Sequence, residues 1–152
     1  MIHVESAHVD DVDELTRIAH AAKRHWGYPE AWIAMWSGDL TVTPAALAED
    51  HFYKARVDDG ACAGFYALSF DAEADTAELE HMWIDPPYIG RGIGRALMEH
   101  AAGVARRRGC RRILIASDPD ARGFYERMGA VAIGERAAVP PPRMLPVLEL
   151  QL

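Results

Sequence analysis

The stretch Trp83-Ile-Asp-Pro-Pro-Tyr-Ile-Gly-Arg-Gly-Ile-Gly-Arg-Ala-Leu97 decides how the chain is read. An apolar run stops at Asp85-Pro86-Pro87, glycines recur at 90, 92 and 94, and a helical apolar stripe then opens with Ile93, Leu97, Ala101 and Val104. The order is strand, turn, glycine loop, helix. Glycines let a backbone approach a ligand and aim successive N–H groups at one point, and the helix start adds a positive dipole end. With Arg91 and Arg95 beside it, the loop reads as a phosphate cradle. A glycine-rich turn capping an ordinary helix is the plain alternative, though three alternating glycines exceed what a cap needs. A Walker A loop is excluded, because Gly94 is followed by Arg95-Ala96 rather than Lys-Ser/Thr. The dinucleotide fingerprint fails too, since Leu97 stands where its third glycine should be.

Upstream of the loop, Ile2–Glu5 predicts a first strand, and Val9, Val12, Leu15, Ile18 and Ala22 recur at helical spacing. Pro29 opens a short helix that would put Trp32 and Trp36 on one face, and Pro44 starts another, ending near Asp50. Phe52–Val57 and Ala61–Phe70 flank a hairpin turn at Asp58-Asp59-Gly60, and Ala77–Ile84 is a further strand. Downstream, Gly92–Arg108 is a long helix, Arg111–Ala116 a strand and Asp118–Met128 a helix. Ala130–Glu135 and Met144–Leu150 close the chain as strands around Val139-Pro-Pro-Pro-Arg143. This order predicts one α/β domain over residues 1–152, with a mixed sheet and helices on its faces.

Composition sets limits. The net charge of −7 disfavours general binding to nucleic acid or anionic membrane. Cys62 and Cys110 are too few for a disulfide scaffold, and Cys110, although set among arginines, reads as an inert strand-start thiol. No paired-cysteine or His-Glu-x-x-His pattern suggests a metal. Met1–Glu5 shows no basic segment leading into an apolar run, and no stretch is long enough to span a bilayer, so a cytoplasmic location is expected. A homodimer is compatible with the sequence.

The loop Ile89-Gly-Arg-Gly-Ile-Gly94 resembles the coenzyme A pyrophosphate loop of the GCN5-related N-acetyltransferase (GNAT) family, Gln/Arg-x-x-Gly-x-Gly/Ala, with Ile89 in place of Gln or Arg. Asp118-x-x-Ala121-x-x-Phe124-Tyr125-Glu126-x-x-Gly129 is similar to a second segment of that family, with Asp for Asn. The two motifs lie in the family's order on the expected elements, and the resemblance covers nearly the whole chain. It implies the GNAT fold and acetyl-coenzyme A as co-substrate. It places the backbone of Met82, Trp83 and Ile84 along the pantetheine arm, with Ile89, Gly90, Arg91, Gly92, Ile93, Gly94 and Arg95 at the pyrophosphate. Asp118 and Phe124 would lie near the coenzyme, although Asp118 is equally well placed as an N-cap.

The resemblance also implies a base on the fourth strand. Glu78 and Glu80 share a face by the period of two, and either could deprotonate an amine; His81 would face the other way in a regular strand. A bulge, common on this strand in the family, would break that alternation. The alternative is that both glutamates are simply solvated. Tyr125 corresponds to the family's proton donor to the departing thiolate, with an aromatic core residue as the other reading. Trp26, Tyr28 and Trp32 would form an aromatic wall for a cationic acceptor, unless they serve only to pack helix on sheet. The expected reaction is acetyl transfer to a small primary amine. Protein N-terminal or lysine acetylation, and a non-catalytic acyl-coenzyme A module, stand as alternatives.

Overall fold

The computed structural model describes residues 1–71 and 73–152. Its elements run β1 (His3–Ser6), α1 (Val12–His25), α2 (Glu30–Met35), α3 (Ser37–Leu40), α4 (Pro44–Glu49), β2 (His51–Arg56), β3 (Cys62–Asp71), β4 (Thr76–Ile84), α5 (Ile93–Arg107), β5 (Arg112–Ala116), α6 (Arg122–Arg127), β6 (Val131–Ala137) and β7 (Met144–Gln151). The helix expected over Asp118–Met128 is divided. Asp118 accepts the Asp120 N–H at 2.9 Å, and with Pro119 this closes a 3₁₀ turn over Pro119–Ala121 before α6 begins.

The seven strands lie in the order β1-β2-β3-β4-β5-β7-β6, and every neighbouring pair is antiparallel except β4–β5. Strand alternation on β3 feeds two cores. Tyr66 and Leu68 face α5 with Leu97, Met98 and Ile113, while Phe65 and Ala67 face α1 with Leu15, Ile18 and Phe52. Each such buried side chain contributes roughly 1.5–3 kcal/mol of transfer free energy.

The parallel pair is short. Thr76–Leu79 bonds to Arg112–Ile115, and beyond Leu79 β4 has no ladder partner on that side among the described residues. Ser117, just past β5, donates its N–H to the Pro146 carbonyl (2.9 Å) as the chain follows β7 instead. A wedge therefore opens in the middle of the sheet, and the helix that follows β4 starts at its mouth. Among the described residues no helix is long and apolar enough to cross a membrane.

Candidate active site

The wedge widens into a cavity of about 610 Å³ lined by the β4 segment from Leu79 to Ile84, the loop at 88–95 and the face of α6. At its mouth Gly90 and Gly92 have φ of 82° and 81°, and a Cβ on either would meet no atom within 4 Å. Both positions are left-handed and both face open space. The first bond of α5 runs from the Ala96 N–H to the Gly92 carbonyl (3.1 Å), which leaves the N–H groups of Ile93, Gly94 and Arg95 without helical acceptors. Those donors, the helix dipole and the backbone space at 90 and 92 fit a diphosphate. Gly94 differs from its neighbours in role. A Cβ there would lie 3.0 Å from the Phe124 ring, so this glycine lets α5 close against α6. Ile89 is half exposed and Arg91 lies over the Tyr88 ring, 5.4 Å from its centroid.

Deeper in the wedge, β4 is irregular. Ala67 pairs with His81 but Leu68 pairs with Leu79, so Glu80 is an extra residue on β4. This bulge reverses the alternation. Leu79 packs on the α5 side, whereas His81 packs on the α1 side between Phe52 and Phe65, at ring separations of 5.5 and 5.7 Å. His81 therefore does not face away from the glutamates as a regular strand would require. The bulge also separates the two acids. Glu80 lines the cavity and accepts a 2.6 Å bond from the Ser69 hydroxyl, while Glu78 is absent from the lining and pairs with Arg136 at 3.2 Å. Burial raises the Glu80 pKa, and the charge of Glu78 adds to the effect; the Ser69 bond opposes it only in part. Burial pushes His81 down to about 4, so its ring is neutral at pH 7. The Trp83 indole N–H lies 3.0 Å from its Nδ1, which leaves the ring proton on Nε2.

Across the cavity stands Tyr125, 5% exposed, on α6. Burial raises its pKa and the nearby Asp118 charge raises it further, with no hydrogen bond to its hydroxyl among the described residues. Its phenol stays protonated and free to donate. Phe124 lines the same wall.

Of the three aromatic residues expected at the acceptor, only Trp26, 43% exposed, lines the cavity. Tyr28 and Trp32 instead belong to a packed cluster with Trp36, which holds two of the chain's own cations. Lys23 Nζ lies 4.5 Å from the Trp36 centroid and 5.0 Å from that of Tyr28, and bonds to Asp118 at 2.6 Å. Arg143 covers the same two rings at 4.7 and 5.0 Å, reaches Asp118 at 3.5 Å and donates to the Tyr28 hydroxyl at 3.0 Å. The Trp36 indole N–H donates to the Val139 carbonyl (2.8 Å). The cage thus ties α1, α2, the turn after β5 and the β6–β7 loop together along one wall of the cavity. Burial disfavours the Asp118 carboxylate, but Lys23, the Asp120 N–H and Tyr28 outweigh it and hold its pKa low. Tyr28 is pushed up to about 12 by burial and by Asp118.

Sequence reasoning missed this cage. One signal was legible: Lys23 follows Ala19 by four residues on the apolar stripe of α1, where a charge requires a buried partner. Arg143 carried no local signal. Both thiols are partly buried with raised pKa values, burial being the main cause, so Cys110 is not activated by its arginines. Among the described residues no group of His, Cys, Asp or Glu is arranged to hold a metal ion.

Comparison with known proteins converges on one family. The model of the "Acetyltransferase (GNAT) family" matches residues 12–130. The chain is 36% identical over 95 residues to a streptothricin acetyltransferase of Streptomyces lavendulae, covering 60% of this chain and half the length of that relative. It is 23% identical to a 5-NmdU N-acetyltransferase of Pseudomonas phage PaMx11, over 89% of this chain and 91% of the other. In structure it is similar to the PaiA N-acetyltransferase of Thermoplasma acidophilum in complex with coenzyme A (TM-score 0.80, 18% identity, covering 100% and 99% of the two chains). Nourseothricin acetyltransferase aligns with a TM-score of 0.74 at 19% identity, over 99% and 98% of the chains. A wedge-opened mixed sheet with a glycine cradle at the following helix, matched by the family model over most of its length, makes this chain a member of the acetyltransferase (GNAT) family.

Proposed function

We propose that the protein transfers an acetyl group from acetyl-coenzyme A to the primary amine of a small molecule. The observation that carries this reading is the wedge itself, which runs from a backbone donor cradle at Gly90–Arg95 to a cavity with a carboxylate on one wall and a buried, protonated phenol on the other. Acetyl-coenzyme A, when bound, supplies a thioester carbonyl carbon.

The cradle N–H groups would hold its diphosphate, and the unpaired edge of β4 beyond Leu79 would receive the pantetheine amides as an added strand. Glu80, with its raised pKa, takes a proton from the ammonium of the acceptor, directly or through water. The neutral amine then forms the new N–C bond as the C–S bond breaks. Tyr125 donates its proton to the leaving sulfur, the new amide nitrogen releases its excess proton to water, and water reprotonates Tyr125. His81, neutral and locked by Trp83, shapes the acceptor wall beside Glu80 without adding charge. That the streptothricin acetyltransferase carries a small-molecule acceptor in its name supports the choice of a small amine.

Acetyl-coenzyme A is therefore expected to raise the thermal midpoint. At a hundredfold excess over its Kd the stabilisation should be about 2.7 kcal/mol. Gly92→Val should abolish that shift, because its φ of 81° is strained for valine and the side chain would occupy the cradle. Differential scanning fluorimetry with and without ligand reads both. No stabilisation of the wild type at millimolar ligand would refute the assignment. Thiol release across a panel of small amines then identifies the acceptor.

A further inference from the structure

His81 lines the main cavity beside Glu80 and takes no part in the proton transfers described above. The β4 bulge decides where it faces. Ser69 continues the face of β3 that carries Phe65 and Ala67, so the Ser69–Glu80 bond of 2.6 Å puts the Glu80 carboxylate on the α1 side of the sheet. His81, next along the strand, packs on that same side, with its ring between Phe52 and Phe65. In a regular strand consecutive side chains point to opposite faces, and the extra residue at the bulge lets two successive ones share a face. A carboxylate and an imidazole thus reach the cavity from Cα atoms only about 3.8 Å apart.

The ring offers the cavity one kind of contact. Its Nδ1 accepts the Trp83 indole N–H at 3.0 Å, and burial keeps the ring neutral at pH 7 against the opposing influence of the Asp39 charge. The single ring proton therefore sits on Nε2. Among the described residues no fully enclosed side-chain nitrogen or oxygen lacks a hydrogen-bond partner, and Nε2 has none there, so this N–H reaches open space. The cavity that His81 lines is that space. The two phenylalanine rings restrict rotation of the imidazole, and the indole holds one tautomer. The result is a fixed donor which, unlike a hydroxyl, cannot turn into an acceptor.

We propose that the acceptor carries an oxygen on the carbon adjacent to the one bearing its primary amine, as a vicinal amino alcohol does, and that His81 selects it by donating Nε2–H to that oxygen while Glu80 faces the amine. Neighbouring carbons fit because the two protein groups spring from neighbouring residues. The inference rests on amine acetylation as proposed above and deepens it by naming the acceptor's chemistry. An amine with a methyl group in the oxygen's place would displace water from Nε2–H without replacing its bond, a loss that the hydroxyl compound avoids. A histidine that only filled the space between Phe52 and Phe65 would treat the two amines alike.

Thiol release from acetyl-coenzyme A with two matched pairs of amines tests the assignment. Isopropanolamine is set against isobutylamine, and phenylethanolamine against β-methylphenethylamine, each pair differing only by hydroxyl for methyl. The wild type should favour the hydroxyl member by about tenfold in kcat/KM, equivalent to about 1.4 kcal/mol. His81→Phe keeps an aromatic ring without a donor and should bring that ratio close to unity. Trp83→Phe frees Nδ1 and lets the proton move between the ring nitrogens, so it should reduce the ratio in part. The coenzyme-induced thermal shift of each variant verifies its fold. Equal rates for both members in the wild type would overturn the inference and leave amine acetylation intact. A hydroxyl preference undiminished in both variants would overturn it as well, by tracing the ratio to the lower basicity of amino alcohols. Failure to acetylate any of these amines, with coenzyme binding intact, would overturn the small-amine reading, and this inference with it.

Discussion

Replacing Lys23 with Met should lower the unfolding free energy by about 3 kcal/mol, near the lower end of the usual cost of breaking a buried ion pair. The Lys23 and Asp118 side chains are only 10% and 9% exposed, so the substitution leaves a buried carboxylate without its closest counter-ion. Arg143, 3.5 Å from the same carboxylate, compensates in part, which is why the upper end of the range is not expected. Lys23 also gives up its contacts with the Tyr28 and Trp36 rings. Removing Asp118 instead, as Asn, strands two cations in one cage and should cost a comparable amount. The double variant Lys23→Met/Asp118→Asn should recover part of the loss, since no unpaired buried anion remains and the two sites share one network. Urea denaturation reads all three as shifts in midpoint at constant slope. A Lys23→Met variant within 1 kcal/mol of wild type would show that the cage contributes little to stability.

Glu80→Gln should lower kcat/KM by about a hundredfold or more at neutral pH, the usual contribution of a positioned general base. The pH dependence carries the diagnosis. Burial raises the Glu80 pKa above the ordinary carboxylate value, so its basic form is lost as pH falls through that raised value. Wild-type kcat/KM should therefore decline on the acid side with an inflection above that of a solvent-exposed glutamate. In Glu80→Gln that inflection should vanish, leaving only the ionisation of the amine. Glu78→Gln should change the rate little, because Glu78 pairs with Arg136 and does not line the cavity. If Glu78→Gln is the damaging variant and Glu80→Gln is silent, the base lies on the other side of the bulge.

Much of the fold was legible because it depends on local periodicity. The strand runs, the stripe of α5 and the punctuation by Pro86-Pro87, Gly109 and Gly129 are properties of neighbouring residues, and the expected strands, with α4 and α5, lie within one or two residues of those observed. Two helices differ from the expectation: α3 (Ser37–Leu40) carried no expected helix, and Asp118–Met128 is divided, where Pro119 and the Asp118 side chain together favoured a 3₁₀ turn over a continuous helix.

The candidate site was legible only where its chemistry is local. The glycine cradle could be located from spacing alone, since left-handed backbone and free helical N–H groups are determined by a few consecutive residues. Which glycine faces open space and which faces a neighbouring helix could not, because Phe124 reaches Gly94 only after α6 folds back. The division of Glu78 from Glu80 likewise depends on the register between β3 and β4, where one extra residue reverses every side chain beyond it. The aromatic segment from Trp26 to Trp36 announced a cation site, but sequence could not say whose cation. The three-dimensional structure brings Lys23 from α1 and Arg143 from the β6–β7 loop into the cage, over separations of up to 115 residues. Patterns that repeat along the chain are thus determined by sequence itself, through backbone geometry. Partnerships between distant side chains are decided only when the sheet closes and the cost of burying a charge selects the partner.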